Sequence, residues 1–462
     1  MQVSLPVRDS LPEFMLTYRF YSHTVDCLMS LLQLDITRLS HDGRGVGRDS
    51  QGKTVFVDGV LPGETVTYTL KNSKRRYNDA LAVEIVTPSP ERVSAKCAHF
   101  LTCGGCSQQH VAHAAQLAAK QQSLLEQLQH FGQVSPQNIL PALTGPIWGY
   151  RTKARLGVKY VIKKDKVLVG FRERQKSYLA DLDSCEVLHP RAGKLISALK
   201  TFITGLNSYQ TIAQIEVAIG DNQLALIFRH MEALSASDVQ QLIGFAQLHS
   251  FDLYLQPGSN DSIHKIWPTD GHERLYYSLP AYDLKLAFYP TDFTQVNPAL
   301  NQQMLQQALN LLQLTPQDRV LDLFCGLGNF TLPMAKFAGA VTGIEGSEAM
   351  VQRGYENAKL NNITNVTFMA ADLTKDQSSA IWAQQNYTKV LLDPPRSGAA
   401  EILPLIDKLG AQMILYVSCN PATLARDSGI LTRQYGYKMQ SVGIMDMFPH
   451  TTHVEAMALF VR

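Results

Sequence analysis

Cys419 stands in the stretch Tyr416-Val417-Ser418-Cys419-Asn420-Pro421, directly after an apolar run, Met413-Ile414-Leu415, that reads as a buried strand. A thiol reacts as its thiolate, and a strand end flanked by polar Ser418 and Asn420 and cut off by Pro421 can present one to a substrate. Upstream, Leu321-Asp322-Leu323-Phe324-Cys325-Gly326-Leu327-Gly328-Asn329-Phe330 follows the strand Arg319-Val320-Leu321 as a D-x-x-x-G-x-G turn. Glycines there let a nucleotide-like ligand approach the backbone, with a helix beginning beyond. Passive burial is the commoner fate of a cysteine, and it suits Cys325 inside the turn. Beside a nucleotide-like cofactor, Cys419 reads instead as a covalent catalyst.

The strands that follow end in acids. Val341-Thr342-Gly343-Ile344-Glu345 puts Glu345 where a carboxylate can accept hydrogen bonds from ribose hydroxyls. Val366 to Ala370 leads to Asp372, placed to meet an adenine edge, and Lys389-Val390-Leu391-Leu392-Asp393-Pro394-Pro395-Arg396 ends a fourth strand. Phe330 and Thr331 occupy the place of the third glycine of the dinucleotide fingerprint, so S-adenosylmethionine fits this layout better than NAD.

A methyl donor explains the need for a thiol. Carbon 5 of uracil is a poor nucleophile toward a sulfonium methyl group, but thiolate addition at carbon 6 creates an enolate with its density at carbon 5. A base must then remove the carbon 5 proton so that the thiolate can leave. Glu455, in Pro449-His450-Thr451-Thr452-His453-Val454-Glu455, is the candidate base, with His450 and His453 as competitors. A paired base must also leave its stack before a thiol can reach the ring, so a single-stranded or flipped uridine is expected.

A second group of thiols has metal-ligand spacing. Cys97, Cys103 and Cys106 form C-x5-C-x2-C around Gly104 and Gly105, and Cys185 follows Asp181-Leu182-Asp183-Ser184. Zinc and an iron–sulfur cluster both accept four cysteines, and the uneven spacing, with one short pair only, favours a [4Fe–4S] cluster. His99 is a further possible ligand, although a surface-loop histidine is the commoner case.

These groups need several domains to position them. The chain has 462 residues, an apolar fraction of 45% and a formal charge of +2, which suits two or three folded domains and leaves any nucleic-acid surface to local clustering. Seven scattered cysteines exclude a secreted disulfide framework, and the absence of a long uncharged apolar run or a signal-peptide pattern makes a cytoplasmic enzyme the expectation. Residues 1–28 show no periodicity, and Met29 is a candidate start; the extension is read as loose or misannotated.

From Leu31 to Val86 the pattern predicts a closed barrel of five short strands, among them Thr54–Val57, Glu64–Thr69 and Ala80–Val86, with Asp42-Gly43 and Gly45-Val46-Gly47 as breaks. Lys71, Lys74, Arg75, Arg76 and Tyr77 in one loop, with Arg44 and Arg48 in another, tilt it toward RNA or DNA contact. Thr87-Pro88-Ser89-Pro90 reads as a linker, and Gln109 to Phe131 as a helix. Residues 151–176 hold ten Lys or Arg against Asp165 and Glu173, an electrostatic footprint for a polyanion. Beyond Asp318, strands alternate with helices as in a doubly wound parallel sheet.

Together these motifs resemble the RumA/RlmD-type 23S rRNA (uracil-5-)-methyltransferases over nearly all of Leu31 to Arg462. The resemblance rests on the cysteine loop with Cys185, on Thr291-Asp292-Phe293-Thr294-Gln295-Val296-Asn297, on the Asp322–Phe330 turn, on Leu392–Arg396, on Ser418–Pro421 and on His453-Val454-Glu455-Ala456. It implies a multidomain enzyme: an OB-like TRAM barrel (residues 29–88), a central α+β domain with a [4Fe–4S] cluster (89–285) and a C-terminal Rossmann-like methyltransferase domain (286–462), with the helix near 109–141 packed on that last domain. By carry-over, Gln295, Phe324, Asn329, Glu345, Asp372 and Asp393 contact S-adenosylmethionine, Cys419 is the nucleophile and Glu455 the proton acceptor. Cys97, Cys103, Cys106 and Cys185 then hold the cluster. The implied partner is 23S rRNA, with no membrane and a monomeric enzyme. A uridine of another rRNA or of tRNA, amino-group methylation at Asp393–Arg396, and a non-catalytic RNA-binding assembly factor are the alternatives; the radical methylthiotransferases need a C-x3-C-x2-C triplet that the chain lacks.

Overall fold

The computed structural model describes residues 32–40 and 42–462; the extension, its candidate start at Met29 and Cys27 lie outside them. The chain divides after Arg92 into two compact units.

The first unit is built on a six-stranded sheet in the order Leu32–Asp35, Thr65–Ser73, Tyr77–Thr87, Thr54–Asp58, Gly45–Arg48, Arg38–Leu39. Alternation along Thr54–Asp58 sends Val55 and Val57 inward to join Leu34, Ile36, Val60, Val66, Tyr68 and Ala80 in its core. Gly45 to Gly47 is therefore a strand, where the sequence pattern suggests a break. A Cβ on Gly45 would fall 2.3 Å from Val60 Cγ2, and one on Gly47 2.5 Å from the Asp35 carbonyl, so only glycine permits this approach. The buried Glu64 carboxylate closes the unit, accepting from Leu61 N at 2.7 Å, Ser89 N at 3.1 Å and the Arg92 guanidinium at 2.5 and 2.7 Å.

The second unit holds two large sheets. One runs His264–Trp267, Asp252–Gln256, Leu224–His230, Ile212–Ile219, Lys153–Val161, Lys166–Gly170, with Leu199, Ile203, Leu242 and Phe245 of two helices in its core. Its basic stretch is partly neutralised: Arg155 pairs with Glu216, Lys166 with Asp181 and Lys176 with Glu173, while Lys153 turns inward to the Asp292 carbonyl.

The other sheet has eight strands, in the order Val366–Ala370, Ala340–Glu345, Arg319–Leu323, Lys389–Leu392, Met413–Ser418, Glu455–Val461, Lys438–Met445, Asn138–Ile139. The first five are mutually parallel and Glu455–Val461 is antiparallel to both neighbours. The helix read at Gln109–Phe131 is His113–Gln127, continued by a π turn at Leu128–Gly132. Its Leu124 and Leu128 are buried in the same core as Leu392 and Tyr416, which seats the helix against this sheet. Among the described residues no helix is long and apolar enough to cross a membrane.

Candidate functional site

Parallel strands deliver the residues that follow them to one edge of the sheet, the edge at which such sheets bind ligands. Phe324 follows Arg319–Leu323, Glu345 ends Ala340–Glu345, Asp372 follows Val366–Ala370, Asp393 follows Lys389–Leu392 and Cys419 follows Met413–Ser418. The topology thus brings five of the sequence-predicted residues to a common edge.

The glycine turn is held from below. Phe324 N and Cys325 N donate to the Ile344 carbonyl at 2.9 and 3.1 Å, and the backbone then passes through positive φ at Phe324 (67°), Gly326 (55°) and Gly328 (97°). A non-glycine at φ +67° is uncommon and persists where its surroundings dictate it. The Glu345 carboxylate accepts from Gly326 N and Ser347 N, each at 3.1 Å, so one acid fixes the turn and the next helix start together. A Cβ on Gly326 would meet nothing within 4 Å, which leaves an open face on the turn. Asn329 is shared between Tyr277 and Asn301, at 3.0 Å from each. Asp372 is bound by Thr374 N and Oγ1, contacts that hold its carboxyl below the usual range. Gln295 lies half-buried just before Asn297, whose Oδ1 caps the helix Pro298–Leu312 through Leu300 N.

Asp322 does more than mark the motif. It is fully buried beneath the turn, accepts the Thr331 hydroxyl at 2.5 Å, and is pushed up to about 8 by burial. Cys325 is buried against Gly343 and Phe368 in the core, as a packing residue would be.

At the Cys419 end, Asn420 caps the helix Pro421–Arg433 by accepting Ala422 N at 3.1 Å, and its Nδ2 donates to the Arg396 carbonyl at 2.9 Å. The cap therefore ties the cysteine to the Asp393–Arg396 turn. In the antiparallel pair, Ser418 is opposite Ala456, so the next step outward sets Cys419 against Glu455. Burial raises the half-buried thiol, and the charges of Glu455 and Asp393 add to this while Arg396 opposes it. Burial also pushes Glu455 up to about 8, assisted by Asp393 and opposed by Arg396 and Lys120. Asp393 is pushed up to about 7 by burial. Such shifts suit a carboxyl that exchanges protons near neutral pH.

The histidines separate clearly. His450 is buried, stacked on Trp148 with centroids 3.9 Å apart, and burial lowers it to about 4, so it stays neutral as a packing element. His453 is exposed.

Cys97, Cys103, Cys106 and Cys185 are free thiols that line a single cavity of about 270 Å³ together with Phe171, Leu182, Arg151 and His453. Burial pushes Cys103 up to about 11 and Cys106 up to about 12, and the neighbouring thiols raise both further. Among the described residues, no group of three His, Cys, Asp or Glu is arranged to hold a metal ion. His99 is committed elsewhere, with Nε2 accepting Asp183 N at 3.0 Å.

Sequence reasoning missed the buried polar residues behind Glu455. Lys120 and Asp446 pair at 2.6 Å and His113 joins Asp446 at 2.7 Å. The signal was a polar interruption of the helix's inward stripe at positions 113, 116 and 120.

Residues 112–462 match the family model described as tRNA (Uracil-5-)-methyltransferase, and residues 30–83 match the TRAM domain. The chain is 53% identical over 427 residues to the 23S rRNA (uracil(1939)-C(5))-methyltransferase RlmD of Alcanivorax borkumensis, covering 92% of this chain and 96% of that one. It is 52% identical over 432 residues to the RlmD of Hahella chejuensis, covering 93% and 96%. Among solved structures, the Pyrococcus abyssi tRNA (uracil-54, C5)-methyltransferase in complex with S-adenosyl-L-homocysteine superposes with a TM-score of 0.71. At 24% identity, over 94% of this chain and 100% of that one, that likeness speaks for the fold.

Proposed function

The chain belongs to the tRNA (uracil-5-)-methyltransferase family, as an RlmD-type RNA (uracil-C5)-methyltransferase with a TRAM domain, and from that premise we propose that its target is the 23S rRNA uridine equivalent to uracil 1939. The observation that carries the mechanism is the placement of Cys419 against Glu455 at the sheet edge that also bears the glycine turn.

S-adenosylmethionine supplies an electrophilic methyl group when bound. The open face at Gly326, the Glu345 carboxylate beneath it and the strand-end acids fit such a ligand. Phe324, Asn329, Glu345, Asp372 and Asp393, with Gln295, are the residues that would hold it. Cys419 adds its sulfur to carbon 6 of the flipped uracil, which leaves electron density at carbon 5 for methylation. Glu455 then takes the carbon 5 proton, the electron pair of that C–H bond re-forms the 5,6 double bond, and the carbon 6–sulfur bond breaks to free Cys419. Cys419 adds as its thiolate, the thiol proton passing first to solvent, and burial with the Glu455 charge raises the pH at which that proton leaves.

Four free, half-buried thiols lining one cavity are the donor set of a cluster, although among the described residues they are not drawn into a metal-holding group. Cys97, Cys103, Cys106 and Cys185 would hold a [4Fe–4S] cluster there.

The test is transfer of labelled methyl from S-adenosylmethionine into a 23S rRNA fragment, mapped to the modified base. Wild-type protein should label the uridine equivalent to uracil 1939, and Cys419→Ala should not label it. With 5-fluorouridine at that position, a denaturation-resistant protein–RNA complex should form. Label in tRNA alone would replace the proposed substrate, and full turnover by Cys419→Ala would remove the covalent step.

A further inference from the structure

The helix His113–Gln127 carries an inconsistency on its buried face. A helix lying on a sheet normally turns an apolar stripe inward at i, i+3, i+4 and i+7 spacing. Here His113, Gln116, Lys120 and Leu124 share that stripe, and three of the four are polar; Gln116 is 0% and Lys120 3% exposed. Burying an ammonium is costly unless it is paired and hydrogen-bonded, so its partners indicate what it is for.

Both hydrogen-bond partners of Lys120 lie in one segment. Lys120 Nζ donates to Asp446 Oδ1 at 2.6 Å and to the Phe448 carbonyl at 3.1 Å, and His113 holds the other Asp446 oxygen at 2.7 Å. Gln116 Oε1 accepts His450 N at 2.9 Å, while Ser107 N and Gln108 N both donate to the His450 carbonyl at 2.9 Å. His450 itself sits at φ +66°, a conformation a non-glycine residue keeps only when contacts impose it. The clamped residues, Asp446 to His450, connect the strand Lys438–Met445 to Glu455, and Met445 is the residue opposite Glu455.

We propose that Lys120 is a positioning residue for Glu455: it fixes the segment that delivers this carboxylate and supplies a buried positive charge toward it. The inference rests on the reading of Glu455 as proton acceptor. The groups facing Glu455 are Cys419 from the neighbouring strand, Asp393 and Arg396 from the turn after Lys389–Leu392, and Lys120 from the helix. Those facing Lys120 are Asp446, shared with His113, and Glu455, with His450 and His453 within reach of its charge. Arg396 and Lys120 are the cations that oppose the rise of Glu455, and of the two Lys120 is the buried one. Without it the carboxylate would hold its proton to higher pH, and the base would be less available at neutrality.

The test compares Lys120→Met, Lys120→Arg and Glu455→Gln in single-turnover methylation of the rRNA fragment across pH, alongside S-adenosylmethionine binding and denaturing gels for covalent complex. Lys120→Met should bind S-adenosylmethionine as wild type does, move the acid limb up by about one pH unit, and accumulate adduct with ordinary RNA. Lys120→Arg should restore the limb. Should Lys120→Met fail to fold, Lys120→Gln, which keeps a donor for the Phe448 carbonyl without the charge, carries the same expectation. A folded, uncharged variant with the wild-type limb and no adduct overturns the inference while Glu455→Gln still traps RNA. If Glu455→Gln neither traps RNA nor slows release, the base assignment falls, and the role of Lys120 with it.

Discussion

Cys419 and Glu455 come together one step beyond the Ser418–Ala456 rung, Cys419 just past the end of its strand and Glu455 at the start of the next, at the sheet edge that bears the glycine turn. Antiparallel pairing puts directly opposed residues on the same face of a sheet, so the proposed nucleophile and the proposed base, distant in sequence, are brought to one side. The carboxylate also acts on the thiol: after burial, its charge is the largest influence raising Cys419.

That influence gives a measurable shift. Replacing Glu455 with Gln removes a negative charge, so the Cys419 thiol should ionise at lower pH than in wild type. Iodoacetamide alkylation of Cys419, followed peptide by peptide in a mass spectrometer, should move to lower pH by about one unit. An unchanged or upward-shifted profile in a folded variant would mean that the two groups do not communicate.

The cysteine cavity makes a prediction that does not depend on activity. Anaerobically purified protein should contain iron and sulfide and absorb near ~400 nm from thiolate-ligated iron. Cys106→Ser should lose that absorbance and lower the melting temperature, because Cys106 is among the most deeply buried of the four thiols. Stoichiometric zinc in place of iron would overturn the assignment.

Much of this was legible because the chemistry is written locally. The Asp322–Phe330 turn and the Ser418–Pro421 stretch specify their own backbone through glycine, cap and proline, so residues read from them fall where expected relative to the sheet. What was not legible depends on partners distant in sequence. Nothing near Lys120 indicates that Asp446 will neutralise it, and nothing in Asn138–Ile139 indicates a parallel pairing with Ser441 and Val442. Gly45 and Gly47 read as breakers because their strand role is set by the close approach of Val60 and Asp35, a tertiary constraint that overrides local propensity.

The first unit offers a stability test of its own. Glu64 is 0% exposed and its two oxygens collect four donors from Leu61, Ser89 and Arg92. Glu64→Ala would leave buried amides unpaired and the guanidinium without its carboxylate, at a cost of about 3 kcal/mol. Chemical denaturation followed by a probe in residues 32–92 should show that loss. A change under about 0.5 kcal/mol, the scale of an ordinary surface substitution, would mean that the network is dispensable.

The two turn glycines separate folding from ligand binding. Gly328 sits at φ +97°, and a Cβ there would meet Leu332 at 3.1 Å and Phe368 at 3.3 Å, so Gly328→Ala should destabilise the protein through strain and crowding alike. Gly326 sits at φ +55°, in the left-handed region, where alanine costs about 1 kcal/mol. Its Cβ would meet nothing within 4 Å, so the added methyl group would occupy only the open face of the turn. If that face is where S-adenosylmethionine lies, Gly326→Ala should melt within a few degrees of wild type yet bind the cofactor at least about tenfold more weakly by calorimetry, a penalty of about 1.4 kcal/mol. Gly328→Ala should show the opposite order, with a large loss of stability accompanying any loss of binding. A folded Gly326→Ala with wild-type affinity would mean that the ligand approaches the sheet edge elsewhere, and the roles proposed for Phe324, Asn329 and Glu345 would have to be reassigned.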